Sequence, residues 1–153
     1  MKKKFIFLLL FFSLSHCGFS PIYNIADKLD YKIIITEKNG DKFINNLISQ
    51  EILKISNNNA AKVYYMKVNT VYKKTIVSKN SKGSPTEYQL KVIANFEIQN
   101  KNIQKEISFN EKQNIKNISD IFELKNYENT VKTNFVISII RNLNLQLLNE
   151  KWF

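Results

Sequence analysis

Residues 88–99, Tyr-Gln-Leu-Lys-Val-Ile-Ala-Asn-Phe-Glu-Ile-Gln, carry the strongest periodic signal in the chain. Apolar side chains recur at every second position, and polar side chains fill most of the positions between them. Because successive side chains of a strand point to opposite faces of a sheet, this alternation predicts a strand with one face against a core. The apolar positions are Tyr88, Leu90, Val92, Ala94, Phe96 and Ile98, and only Ile93 interrupts the pattern.

Strands are also predicted on both sides of this segment. After a tight turn at Asn100 to Asn102, the alternation continues from Ile103 to Phe109 as a further strand. A polar turn from Lys79 to Pro85 separates the central segment from the strand before it. That earlier strand has its apolar or half-buried positions on one parity, at Tyr64, Met66, Val68, Thr70, Tyr72 and Ile76.

The chain before and after these strands predicts a first strand and two helices. A β-branched run from Tyr31 to Thr36 predicts the first strand, which Asn39-Gly40 ends. Asp41 is a suitable N-cap for an amphipathic helix over Lys42 to Ile55. From about Leu124 the apolar period becomes helical again and continues to Leu148.

The element order β-α-β-β-β-α predicts the fold class. The predicted class is an α+β fold in which two helices pack on one face of a four-stranded, mostly antiparallel sheet. Both helices have an apolar face, so together they can cover one side of the sheet. The other side is then expected to be polar and free to meet water or a partner.

The first sixteen residues have the composition of an export signal. Three lysines at positions 2 to 4 precede an apolar run from Phe5 to Leu14. A helix needs about 20 apolar residues to cross a bilayer, so this run is too short, but it suits the apolar region of a signal peptide. The following Leu-Ser-His-Cys, ending at Cys17, resembles the lipobox of bacterial lipoproteins, in which the cysteine is lipidated.

The lipobox resemblance predicts three parts of the chain. These are a lipoprotein signal peptide at 1–16, a lipidated N-terminus and tether at 17–30, and a single α+β domain at 31–153. His16 occupies a position where the lipobox usually has Gly, Ala or Ser. If cleavage before Cys17 fails, the apolar run remains as an extra anchor. In either case we expect the chain to be held at a membrane, by a lipid anchor on Cys17.

Charge bounds the class of partner. The segment from residue 17 onward has 20 basic and 13 acidic residues, a formal charge of +7. In a cytosolic protein this balance would indicate nucleic acid. Export removes that partner, so we expect no nucleic acid and instead an anionic membrane component, an acidic polysaccharide or an acidic protein surface.

The residue types argue against catalysis. The chain after Cys17 contains no histidine and no second cysteine, which excludes histidine-dependent nucleophiles and His- or Cys-based zinc sites there. The three glycines stand apart, so no phosphate-binding loop is present. We therefore expect no enzyme activity, catalytic residue, metal site or cofactor. A carboxylate pair remains the catalytic alternative, although four of the acidic side chains lie in turn, cap and surface positions, at Glu37, Asp41, Glu51 and Glu87.

The start of the exported segment resembles a known family. Residues 17–23, Cys-Gly-Phe-Ser-Pro-Ile-Tyr, look like the mature N-terminus of the lipopolysaccharide-assembly lipoprotein family LptE, which begins Cys-Gly-Phe and often continues Pro-Leu-Tyr. That family also has two helices on a four-stranded sheet, and its closing helix resembles residues 122–148. Gly18 is not the aspartate associated with retention of lipoproteins in the inner membrane, which favours the outer membrane.

The LptE resemblance implies a non-enzymatic function. Members plug and help to assemble the outer-membrane β-barrel LptD, bind lipopolysaccharide and assist its delivery to the cell surface. Two alternatives stay open, a different periplasm-facing adaptor lipoprotein and a carboxylate-dependent enzyme acting on envelope polysaccharide.

A lipopolysaccharide ligand would present phosphates and acidic sugars, which clustered lysines can bind. If the last three strands form an antiparallel meander, the turn after the second strand and the exit from the fourth lie at one end of the sheet. The alternative is that these lysines are unrelated solvated side chains. Charge reversal at two of them, Lys79 and Lys82, is expected to weaken binding without affecting folding. The candidate lipopolysaccharide-binding residues are Lys73, Lys74, Lys79, Lys82, Lys112 and Lys116.

Overall fold

The computed structural model describes residues 31–101 and 103–149. The elements occur in the predicted order, so the α+β class is confirmed. The predicted signal peptide at 1–16, the lipidation site Cys17 and the tether at 17–30 lie outside the described residues. The elements are β1 (Tyr31–Gly40), α1 (Lys42–Ile55), β2 (Lys62–Lys79), β3 (Pro85–Asn100), β4 (Ile103–Lys116) and α2 (Ile121–Asn149).

The four strands form one sheet in the order β1-β2-β3-β4. The pairs β2–β3 and β3–β4 are antiparallel, as expected for strands joined by short turns. β1 runs parallel to β2 because α1, which lies between them in the chain, returns the chain to the end of the sheet where β1 begins. The sheet is therefore mostly antiparallel, as predicted.

Both helices pack on the same face, which we call the covered face. On α1, Ile44, Ile48 and Ile52 are almost completely buried against the sheet. The predicted N-cap is confirmed, because the Asp41 carboxylate accepts a hydrogen bond from the Ile44 backbone N–H at 2.9 Å. The buried residues of α2 are Val131, Phe135, Val136, Ile139, Ile140, Leu143, Asn144 and Leu147.

Buried polar side chains tie the helices to the sheet. The Tyr31 hydroxyl donates to the Asn144 side-chain oxygen at 2.7 Å, which joins β1 to α2. The Asn45 amide donates to the Asn39 carbonyl at 2.9 Å, and the Thr70 hydroxyl donates to Asn45 at 3.0 Å. Because each of these groups has a partner, their burial carries little desolvation cost.

β1 ends at Gly40, as the Asn-Gly pair predicted. Gly40 has φ +94°, and a Cβ atom there would lie 1.8 Å from the Thr70 carbonyl oxygen. A glycine is therefore required for the chain to turn away from the sheet and start α1. β2 continues from Val71 to Lys79 beyond this point, and no described strand pairs with it on that side.

The covered face ends before the tips of β2 and β3. Tyr72 is half-buried and Ile76 is 49% exposed, although both share the parity of the core positions. The apolar positions predicted for β2 thus lie on the correct face, but the helices do not cover the last of them. Within the described residues, no helix is long and apolar enough to span a membrane.

Candidate functional site

The face of the sheet opposite the helices, here called the open face, is mostly polar as predicted. Strand register arranges its side chains in rows that cross β2, β3 and β4. One row contains Asn69, Asn95 and Ser108, in which the Ser108 hydroxyl donates to the Asn95 side chain at 2.7 Å. Residues paired directly across strands lie on the same face and close together, so each row acts as a local unit.

One row consists only of lysines. Lys73 on β2 lies directly opposite Lys91 on β3, and Lys91 lies directly opposite Lys112 on β4. Adjacent strands are about 4.8 Å apart, so the three backbones span about 10 Å. Lys73 and Lys112 are exposed and Lys91 is half-buried. We call these three residues the lysine row.

Within the part of the chain that the structure describes, the lysine row has no counter-charge. None of its three ammonium groups is within ion-pair distance of a carboxylate among residues 31–101 and 103–149. Like charges directly opposite each other destabilise a sheet. A bound anion would remove this repulsion, and a phosphate group can accept hydrogen bonds from several ammonium groups.

The predicted lysine cluster is only partly brought together. Lys73 and Lys112 share the lysine row, and Lys116 follows Lys112 on the same face, opposite Glu87. Lys79 and Lys82 lie in the β2–β3 hairpin, at the same end of the sheet as the exit from β4. Lys79 and Lys82 thus lie at the same end of the sheet as Lys116, whereas Lys73 precedes Lys79 by six residues on β2, about 20 Å along the strand.

Lys74 does not belong to this cluster. It lies on the covered-face side of β2, where it forms an ion pair with Glu128 of α2 and sits 4.1 Å from the centre of the Tyr88 ring. Neighbouring residues of a strand point to opposite faces. The structure therefore places Lys73 and Lys74 on opposite faces of the sheet and does not bring Lys74 to the other lysines.

Lys91 is the central residue that the candidate set omitted. It falls on the outward parity of β3, between Gln89 and Ile93, and this parity was visible in the sequence. What the sequence could not provide is the strand register, which places Lys91 directly between Lys73 and Lys112. Register depends in part on the bulge that follows Ile76 in β2.

The opposite end of the open face is acidic. A depression of about 660 Å³ is lined by Glu37, Glu97 and Glu106 together with Lys67. Lys67 donates to Glu97 at 3.1 Å, and this hydrogen bond, with the charge of Glu97, raises the pKa of Lys67. Within the described ranges, no three His, Cys, Asp or Glu side chains are grouped so that they could hold a metal ion.

The open face is therefore polarised along the strands. Lys67 at the acidic end and Lys73 in the lysine row are six residues apart on β2, about 20 Å at the usual rise of a strand. Between them lies the apolar pair Val71 and Ile93, of which Ile93 was the residue that interrupted the alternation. An elongated ligand or protein surface with an anionic end and a less charged remainder matches this arrangement.

No protein-family model and no curated protein sequence matches this chain. Similar solved structures do exist. Rare lipoprotein B from Shewanella oneidensis matches with a TM-score of 0.55 at 11% identity, covering 75% of this chain and 96% of that chain. A minor lipoprotein from Acinetobacter baumannii has a TM-score of 0.49 at 11% identity, covering 72% and 93%. Lipoprotein B from Nitrosomonas europaea has a TM-score of 0.46 at 11% identity, covering 78% and 88%.

The likeness to rare lipoprotein B establishes a shared fold. It extends over nearly the whole of that protein and over three quarters of this chain. At such low identity, the match carries over the architecture and no individual residue.

Proposed function

We propose that this chain is an outer-membrane lipoprotein of the LptE type, anchored through Cys17 on the periplasmic side. It plugs and helps to assemble the barrel LptD, and it assists delivery of lipopolysaccharide to the cell surface. One observation carries the proposal, the agreement between two separate parts of the chain. Residues 17–23 resemble the start of LptE, and the described part of the chain shares its fold with a bacterial lipoprotein, rare lipoprotein B.

The open face supports a ligand with phosphate groups. The lysine row presents three cations on strands whose backbones span about 10 Å, a spacing that a phosphorylated sugar headgroup can bridge. Val71 and Ile93 lie next to the row on the same face and offer apolar contact. Lipopolysaccharide combines phosphates with hydrocarbon, so its inner portion is complementary to the lysine row and the apolar pair beside it.

We propose that the protein acts by binding its partners and not by catalysis. The described residues contain no histidine or cysteine, and the acidic depression holds a lysine among its carboxylates. Three carboxylates line this depression with one ammonium group, so it carries a net negative formal charge. The acidic end is therefore better suited to basic groups of a protein partner than to hydrolysis of a sugar chain.

Co-purification tests the barrel partner. The full chain with a C-terminal tag is extracted in detergent from membranes of its own cell. A large, heat-modifiable β-barrel is expected to purify with it in a fixed ratio. A Cys17→Ser variant serves as the anchoring control, because intact mass should show acyl chains only on the unaltered protein. A stoichiometric complex with a different periplasmic protein would favour the adaptor alternative and contradict this proposal.

Direct titration with lipopolysaccharide tests the lysine row. The double variant Lys73→Glu/Lys112→Glu is expected to bind at least about tenfold more weakly, since two charge-assisted contacts are replaced by repulsion. Lys125→Glu/Arg141→Glu on exposed positions of α2 makes the same change in net charge and is expected to bind nearly normally. Equal loss in both variants would mean that only total charge matters.

A further inference from the structure

Beyond Gly40, the β1 side of β2 presents backbone groups that no described residue pairs. The Asp41 N–H donates to the Thr70 carbonyl at 3.2 Å, so the backbone of Thr70 faces the β1 side. Alternate residues of a strand direct their N–H and C=O to the same side. The backbones of Tyr72, Lys74 and Ile76 therefore face the same way, beyond the point where β1 leaves the sheet at Gly40.

No described residue fills this position. Among residues 31–101 and 103–149, none makes a backbone hydrogen bond to these groups of Tyr72, Lys74 and Ile76. Unpaired N–H and C=O groups in a row form a template for another strand. We call this edge of β2, from Tyr72 to Ile76, the β2 slot.

The side chains around the β2 slot differ on its two sides. On the helix side, the half-buried ring of Tyr72 lies 3.9 Å from the Lys132 ammonium, and that ammonium lies 5.5 Å from the ring of Phe43. Phe43 is 40% exposed although it belongs to α1. On the open-face side, the exposed Lys73 stands next to the slot.

Charge selects the kind of strand that fits. On the open face, Lys73 has no carboxylate partner among the described residues, whereas on the helix side Lys132 lies over the Tyr72 ring and Lys74 is paired with Glu128. A second copy of this chain would bring the same lysines to the contact. An incoming strand with carboxylates beside Lys73 and apolar side chains beside Phe43 and Tyr72 would satisfy both sides.

We propose that the β2 slot binds an extended segment of a partner protein in which apolar and acidic residues alternate. The segment adds a strand to the sheet in line with β1, and its backbone pairs with Tyr72, Lys74 and Ile76. Its acidic side chains lie on the open face next to Lys73. Its apolar side chains lie on the other face, where they cover Phe43 and Tyr72.

Amide hydrogen exchange read residue by residue tests this directly. The probe is a synthetic eight-residue peptide that alternates valine and glutamate, added at millimolar concentration to the full chain. The amides of Tyr72, Lys74 and Ile76 are expected to exchange quickly in the free protein and slowly with the peptide. Those of Lys73 and Thr75, which face β3, should be protected in both states and serve as internal controls.

Two peptide controls separate strand pairing from charge attraction. A peptide alternating valine and lysine is expected to bind at least about fivefold more weakly, because cross-strand like charges repel. A valine–glutamate peptide that is N-methylated on one edge keeps its charge but lacks the donors for β2. If this peptide binds as well as the parent, then the contact is not strand addition.

Matched variants locate the binding site. Lys73→Glu is expected to weaken the valine–glutamate peptide about fivefold, whereas Lys112→Glu, on the far strand of the same face, should not. Ile76→Pro removes one N–H that faces the slot and is expected to weaken binding about fivefold, while Ile76→Val keeps the N–H and the affinity. Retained β3 amide protection shows that each variant is folded.

Three results would overturn the proposal. The first is slow exchange of Tyr72, Lys74 and Ile76 in the free monomer, which would mean that another part of this chain fills the slot. The second is protection that rises with protein concentration, which would assign the slot to a second copy. The third is no protection at millimolar peptide. None of these readouts depends on lipopolysaccharide or on the barrel.

Discussion

The two faces of the sheet are made by the same three long strands but obey different constraints. On the covered face, Leu90, Val92 and Ile98 of β3 are fully buried, and their identity is set by packing. On the open face, Lys91 lies between two other lysines, an arrangement that packing alone disfavours. Stability therefore depends mainly on the covered face, whereas a binding partner is expected on the open face, where packing does not determine the side chains.

The largest difference in unfolding free energy is expected between two isoleucines of β3 that lie on opposite faces of the sheet. Ile98→Ala on the covered face is expected to cost about 4 kcal/mol of unfolding free energy, because it leaves a cavity under the helices. Ile93→Ala, on the open face of the same strand, should cost about 1 kcal/mol or less. Urea unfolding of both variants gives the comparison. Similar losses at the two sites would show that the open face is buried in solution.

The covered face depends on the turn that sends α1 back over the sheet. Gly40→Ala is expected to cost about 3 kcal/mol, because φ is +94° and a Cβ atom would collide with the Thr70 carbonyl. Gly83→Ala is the matched control, since its φ is also positive but a Cβ atom there meets nothing within 4 Å. Thermal or urea unfolding measures both. If the two variants lose equal stability, backbone strain and not the contact with Thr70 is responsible.

The buried hydroxyl of Tyr31 should make stability depend on alkaline pH. Burial, and to a lesser extent Tyr64, raises the pKa of Tyr31 above its ordinary value of 10.0. The unfolded chain therefore loses this proton first, so the stabilisation is complete below pH 10 and declines as pH rises further.

The Tyr31→Phe variant isolates that contribution. At neutral pH it should lose about 1–2 kcal/mol, because the Asn144 oxygen is left without its buried donor. Above pH 10 the gap from the unaltered protein should narrow. Tyr65→Phe, at a position 48% exposed, is the control and should change little. A gap that stays constant with pH would contradict the assignment to Tyr31.

The smallest expected effect has the opposite sign. Lys91→Gln should stabilise the free protein by about 0.5 kcal/mol at low salt, because it removes the central charge of the lysine row. The gain should shrink as salt screens the repulsion. Lys125→Gln, exposed on α2, is expected to show neither effect. Destabilisation by Lys91→Gln at low salt would indicate that the row has a counter-charge in solution.

The covered face could be predicted almost completely from sequence. Alternation is set by which side chains meet the core, so Leu90 to Ile98 were placed on the correct face without knowledge of the neighbours. The first helix was predicted at its observed bounds because Asp41 and Gly40 are local signals with local causes. The extent of burial was missed, as Ile76 shows, since it depends on how far the helices reach. The length of β4 was missed as well, because this strand continues past Phe109 to Lys116 and buries Ile115.

The candidate site was harder to predict because its residues are brought together by register. Nothing local in Lys91 indicates that Lys73 and Lys112 flank it, since each strand alone shows only an outward lysine. The β2 slot was also invisible, because it arises from a difference in length between β1 and β2. Lys74 is a different case, because its parity alone places it on the other face from Lys73.

The single parallel pair in the sheet also has a consequence for the order of folding. β2, β3 and β4 are joined by short turns, so their pairing closes small loops and can form early. β1 must wait until its partner strand exists and α1 has crossed between them. We therefore expect β1 to pair last during refolding and to detach first in partial unfolding, because it is an edge strand that adds to an assembled three-stranded meander.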